Sequence, residues 1–194
     1  MISMVNKVSG NKKFNIVTVL ALTLRYRSRK AVKVFHYSRL TFNAIGVFMI
    51  TTWLPTENIQ IVDSVSDWKQ AITLSAQPLL AQEAITEDYI KAIFNSHQEL
   101  GPYYVLAPGL AMPHARPEQG AIKNGLSLLH IKKGVSFDSE DNDPIYVVMM
   151  LCALSGDEHI NMITALADIF SDDERLSALL KASSMQTIQK VINE

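Results

Sequence analysis

The apolar positions of the chain change their period twice. From Asp67, "DWKQAITLSAQPLLAQ" sets Trp68, Ile72, Leu74, Ala76 and Leu79 along one helical face. Ser66 is the expected N-cap, and Asp67 suits the positive start of a helix. Pro78 lies inside this pattern and is expected to kink or shorten the helix. Thr86 opens a second helix, "TEDYIKAIFNSHQEL", with Tyr89, Ile90, Ile93 and Phe94 on one side and Gly101 as its stop. The spacing then becomes that of strands. "YYVLA" (103–107), "NGLSLLHI" (124–131) and "IYVVMMLCAL" (145–154) are short apolar runs bounded by Gly, Pro, Asp and Asn. The last is apolar throughout and is expected to be buried on both faces. "GVSFDSEDNDP" is an acidic turn leading into it.

Helical spacing returns in "DEHINMITALADIF", opening at Ser155-Gly156-Asp157, in "SDDERLSALLKA", opening at Ser171, and in "SSMQTIQKVINE", opening at Ser183 or Ser184. Helix, helix, strands, helices is the order of an α/β fold: a single domain with a mixed β-sheet flanked by helices.

Composition narrows the class. The chain is 48% hydrophobic and 19% charged, which fits a globular protein with a sizeable core. Its net charge of −1 gives no bulk attraction to nucleic acid. The one cysteine, Cys152, excludes a disulfide framework and a CxxC metal pair, and a reducing cytoplasmic setting is expected. Mid-run in an apolar strand, Cys152 reads as a buried core residue.

The small net charge hides an asymmetry. Residues 1–50 carry nine Lys/Arg and no acidic residue, while the remaining 144 carry nine basic and all 19 acidic residues, a formal charge of −10. Three readings of the basic extension, residues 1–48, compete. Its apolar run "FNIVTVLALTL" has 11 residues, short of the roughly 20 needed to span a bilayer, and "RYRSRK" stands where a signal peptidase would want small residues. A basic arm touching nucleic acid or anionic lipid is the second reading. The third is a mis-called start, with translation beginning at Met49. It is preferred, because "MITTWLPTENIQIVDSVSDW" reads as a normal domain entry. No function is assigned to residues 1–48.

Of the five histidines, His36 lies in the extension. His130 sits mid-strand and reads as structural. His97, at a helix end, reads as a cation favoured by the helix dipole. His114 and His159 differ from these. Each follows a strand, where α/β folds gather their sites. His114 is held between Pro113 and the Ala-Arg-Pro that follows, and Arg116 offers a forked donor suited to phosphate oxygens. His159 falls in the first turn of a helix, a position that disfavours its charged form. Alone, either histidine reads as an ordinary loop or surface residue. Two histidines and an arginine suit phosphoryl transfer, where positioning and charge stabilisation dominate. There is no HExxH or HxH metal pair, no Walker loop, no GxGxxG and no GxSxG elbow.

"GPYYVLAPGLAMPHARPEQGAIKNGLSLL" resembles the active-site segment of enzyme IIA components of the bacterial phosphoenolpyruvate-dependent sugar phosphotransferase system, in the mannitol/fructose class. That class carries a G-[IV]-A-x-PH turn ending in the phospho-accepting histidine. "APGLAMPHARPE" is closest to the ascorbate-type and cryptic mannitol-type members. "GDEHINMITALADIF" is similar to the element that brings a second histidine to the site, and "KASSMQTIQKVI" to the closing helix. The resemblance covers about residues 49–194, the expected enzyme IIA domain.

The resemblance implies a phosphotransferase with a phosphohistidine intermediate and no metal or other cofactor. His114 takes the phosphoryl group through Nε2 from the phosphocarrier protein HPr, and His159 steadies it. The group then passes to a cysteine of a IIB partner, and from there to sugar entering through a membrane IIC. No nucleic acid and no direct membrane insertion are implied, and the sugar is chosen largely by the membrane component. One departure stands out. The mannitol branch has an arginine near the end of the second helix, where this chain reads "NSHQELG". Arg116 is the expected replacement. Two other functions remain open on sequence: a regulatory IIA-like protein that binds partners according to its phosphorylation state, and a binding module without phosphorylation.

Overall fold

The computed structural model describes residues 50–193. The basic extension, with His36 and the expected start at Met49, lies outside the described residues. In chain order the elements are β1 (Ile59–Val62), α1 (Trp68–Ala81), α2 (Glu87–Leu100), β2 (Val105–Ala107), β3 (Leu110–Ala111), β4 (Gly125–Val135), β5 (Ile145–Cys152), α3 (Gly156–Phe170), α4 (Asp173–Leu180) and α5 (Met185–Asn193). Short 3-10 turns cover Thr56–Asn58 and Pro117–Gln119.

The five strands form one mixed sheet in the order β1-β4-β5-β3-β2. β1 runs parallel to β4 and β3 parallel to β5, while β4–β5 and β2–β3 are antiparallel. The apolar run of β5 takes the central place, where seven of its eight residues are buried. This is the burial its composition demands: a central strand with both faces covered has no use for polar side chains. On one face α1 and α2 pack Ala71, Ile72, Leu79, Tyr89 and Ile93 against Leu129, Val148 and Met150. Strand alternation turns His130 and its partner Val147 to the other face, where α4 meets β5 and α5 meets β1.

Two strands are not legible in the apolar pattern. β1 is four residues and β3 only two; each is a strand because a longer neighbour supplies its hydrogen bonds. β4 also outruns its apolar stretch, continuing through the exposed Lys132 and Lys133 to Val135, which pairs with Ile145 after a bulge. Cap positions shift by one residue. Asp67, not Ser66, is the N-cap of α1 and accepts the Gln70 N–H at 2.8 Å, while the Ser66 N–H donates to Gln70 Oε1 at 2.6 Å. Asp172, not Ser171, caps α4 by accepting from Glu174 and Arg175. Of the two serines before α5, it is Ser184 whose hydroxyl accepts the Thr187 N–H. α1 runs through Pro78 and ends at Ala81, within a turn of it.

The helix-end cation expected of His97 is not what forms. His97 is buried and stacks on Trp68 with ring centroids 3.8 Å apart, and its Nδ1 lies 2.6 Å from the Tyr104 hydroxyl. Burial pushes its pKa down, so it serves the core as a neutral ring. The apolar stripe of α2, continued one turn further, carries it inward.

Candidate functional site

β3 is followed at once by Met112-Pro113-His114. This segment continues along the sheet, because Met112 N–H donates to the Tyr104 carbonyl (2.8 Å) and Leu151 N–H to the Pro113 carbonyl (3.2 Å). His114 is thus delivered beside the carboxyl end of the central strand. Its ring folds back on its own backbone, with Nδ1 2.9 Å from the Met112 carbonyl oxygen. A carbonyl only accepts, so Nδ1 carries the proton and Nε2 of the neutral ring keeps its lone pair. Burial lowers the pKa of His114, which holds the ring neutral near pH 7.

β5 ends at Cys152, and Ser155 caps α3 by accepting the Glu158 N–H at 3.2 Å. That cap sets the first turn and places His159 facing His114, with ring centroids 5.0 Å apart and planes tilted by 49°. The Nε2 of His159 is buried and has no hydrogen-bond partner among the described residues. Desolvation, and then repulsion from His114, lower its pKa to about 4. Two imidazoles this close cannot both charge cheaply. The site therefore holds two neutral rings, one with a directed lone pair and one with an unsatisfied nitrogen.

Arg116 is exposed at the head of the Pro117–Gln119 turn, where its backbone N–H donates to Gln119 Oε1 at 2.8 Å. Its guanidinium forms no ion pair among the described residues. Acidic residues flank these segments in sequence, with Asp157 and Glu158 in the first turn of α3 and Glu118 two residues after Arg116. They offset the positive end of that helix. At the end of α2, His97 is committed to the core and Gln98 is exposed. Cys152 is the buried core residue its sequence context predicts: its thiol points at the Lys123 carbonyl (3.1 Å), and burial raises its pKa to about 11.

Two tyrosines complete the site without a sequence signal. The Tyr103 hydroxyl donates to the His114 carbonyl at 3.0 Å, and its ring stands edge-on to the imidazole. The Tyr89 hydroxyl lies 2.8 Å from the Leu151 carbonyl and 3.1 Å from that of Ala115, tying the histidine loop to the end of β5. Their partners are backbone oxygens far along the chain, so no local spacing marks either tyrosine. Tyr89→Phe is expected to cost about 1–3 kcal/mol, because a buried carbonyl loses its donor. Urea unfolding followed by circular dichroism reads that loss, and unchanged stability would remove Tyr89 as the staple.

The fold, with histidines at the ends of β3 and β5, is that of a phosphotransferase enzyme IIA component. The chain belongs to the family described as "Phosphoenolpyruvate-dependent sugar phosphotransferase system, EIIA 2", whose model matches residues 52–194. It is 42% identical over 144 residues to the mannitol-specific cryptic phosphotransferase enzyme IIA component of Escherichia coli (strain K12), covering 74% of this chain and 97% of that protein. To the ascorbate-specific PTS system EIIA component of the same strain it is 32% identical over 138 residues, covering 71% and 90%. The solution structure of the cryptic mannitol-specific enzyme IIA from Escherichia coli superposes with a TM-score of 0.70, at 42% identity and the same coverage. A crystal structure described as a putative PTS IIA from Streptococcus mutans gives 0.65 at 30% identity, covering 75% of this chain and 91% of that one.

Proposed function

We propose that residues 49–194 form a phosphoryl carrier in which His114 Nε2 takes the group from phosphorylated HPr and hands it to a cysteine of a IIB partner serving a membrane IIC. The observation that carries this reading is the Nδ1–H to Met112 carbonyl bond, which leaves Nε2 of a neutral imidazole as the nucleophile. In the transfer, the bond from phosphorus to the donor histidine breaks as the bond to Nε2 forms, in line. The proton stays on Nδ1, donated to the Met112 carbonyl throughout, and no base is required. In the second transfer Nε2 is the leaving group and the IIB thiolate the nucleophile.

His159 supports the phosphoryl oxygens through its unpartnered Nε2, in the tautomer that carries the proton there. Arg116 supplies the positive charge. A bound phosphoryl group would bring about two negative charges next to Asp157, Glu158 and Glu118, and Arg116 is the cation nearest to His114 in sequence. Arg116→Ala is expected to slow phosphorylation by HPr about tenfold or more while leaving the fold intact, since its side chain is exposed. Stopped mixing with phosphorylated HPr measures that rate, and an unchanged rate removes Arg116 from the site.

The cytoplasm is the proposed location. Among the described residues no helix is long and apolar enough to cross a membrane. The test of the whole reading is incubation with phosphoenolpyruvate, enzyme I and HPr. Acid-labile, base-stable phosphate is expected on this chain, and its absence would sink the proposal.

A further inference from the structure

A succession of rings leads from the helices to the nucleophile. Phe94 of α2 stands edge-on to Trp68 of α1, with centroids 5.6 Å apart. Trp68 stacks on His97, and His97 lies 5.7 Å from Tyr104. Tyr104 is fully buried and meets Tyr103 edge-on at 5.1 Å. Tyr103 in turn meets the His114 imidazole at 6.0 Å, with planes 77° apart. These spacings and tilts are those of attractive ring pairs. Tyr103 thus links a packed aromatic cluster to the imidazole.

The backbone around His114 is held carbonyl by carbonyl. Met112 accepts from His114 Nδ1 at 2.9 Å, and Pro113 accepts the Leu151 N–H at 3.2 Å. The Ala115 carbonyl lies 3.1 Å from the Tyr89 hydroxyl. The carbonyl of His114 itself accepts from the Tyr103 hydroxyl at 3.0 Å. Burial raises the pKa of that hydroxyl, so it stays protonated and keeps donating. Tyr103 therefore grips His114 twice, by its hydroxyl on the backbone and by its ring on the side chain. Burial gives little reason for a tyrosine here: Tyr103 is 43% exposed, whereas the adjacent Tyr104 fills the core.

We propose that Tyr103 is a positioning residue for phosphoryl transfer, holding the His114 ring in the orientation that keeps Nδ1 on the Met112 carbonyl and leaves Nε2 free for the incoming group. This role rests on His114 being the phosphoryl acceptor. The two contacts act on different parts of the residue. The hydroxyl fixes the peptide that follows His114, and with it the direction in which the side chain leaves the backbone. The ring limits the swing of the imidazole away from Met112. An in-line transfer depends on that alignment, and a loose ring spends most of its time out of it.

The test compares Tyr103→Phe, which keeps the ring, with Tyr103→Leu, which loses both contacts. Rapid-quench kinetics with phosphorylated HPr should show the maximal rate falling about tenfold in Tyr103→Phe and about thirtyfold in Tyr103→Leu, with the half-saturating HPr concentration unchanged. A raised half-saturating concentration at an unchanged maximal rate would make Tyr103 a contact for HPr and overturn the proposal. Nitrogen-15 NMR of the unphosphorylated protein gives a second readout. The His114 Nδ1–H should exchange with water about tenfold faster in Tyr103→Leu than in the wild type, and by an intermediate amount in Tyr103→Phe. Equal exchange in all three proteins would overturn the proposal. If the wild type takes up no phosphate, the carrier reading fails, and the exchange measurement still decides whether Tyr103 holds the His114 ring.

Discussion

His114→Ala is expected to take up no acid-labile phosphate when incubated with phosphoenolpyruvate, enzyme I and HPr, under conditions that label the wild type fully. The loss should be at least about a thousandfold, because no other side chain in the site can take over the nucleophile's part. His159 is the nearest alternative, but its nucleophilic use would need a lone pair at the nitrogen proposed to donate. The other histidines are excluded by placement: His97 and His130 are buried, and each is hydrogen-bonded within the core. His114 is half-buried in a segment beyond the strand end, so its truncation should leave the fold intact, and circular dichroism checks this. Phosphate that persists on the variant would move the nucleophile elsewhere. The tautomer is testable on the same sample. Wild-type His114 should show a protonated Nδ1 and an unprotonated Nε2 before phosphorylation, and phosphorus bonded to Nε2 after it.

The second large effect is expected at His159. His159→Ala should slow phosphoryl transfer by about a hundredfold, the usual cost of one preorganised donor, while still allowing slow labelling of His114. Rapid-quench kinetics would separate this from a loss of HPr affinity: the maximal rate should fall more than the half-saturating concentration rises.

The same residue gives a pH signature. The unfolded chain's histidine titrates near 6.5, whereas folded His159 titrates at about 4. Between these values the unfolded state holds more protons than the folded one. Stability therefore rises with pH across this window and is lost on acidification from about 6.5 downward. His114, His97 and His130, also lowered by burial, act in the same direction. The melting temperature should fall steeply as pH drops toward 4, and less steeply in His159→Ala. Equal slopes in the two proteins would mean that His159 is not held neutral in the folded state.

Much of the fold could be read from neighbours in sequence. The helices of α1, α2, α3, α4 and α5 follow from apolar residues spaced at three and four with polar caps, although the cap itself was displaced by one residue at Asp67 and Asp172. Hydroxyl and carboxylate caps compete closely when they are adjacent, and backbone geometry chooses between them. β5 announces itself because a strand covered on both faces must be apolar throughout. β1 and β3 do not, because a strand of two to four residues exists only through its partner's hydrogen bonds.

For the site, local residue types already place His114 after a strand beside Arg116 and His159 at a helix start. These are consequences of turn chemistry and capping, which act over a few residues. That the two rings stand 5.0 Å apart follows from long-range pairing, since it depends on β3 lying parallel to β5. The same contacts make the Met112 carbonyl accept the Nδ1–H of His114, and make Tyr89 and Tyr103 anchor the loop. His97 was drawn into the core and His130 was left with an open acceptor. Each of these outcomes turns on burial and on contacts between distant segments, which a local pattern of residue types does not encode.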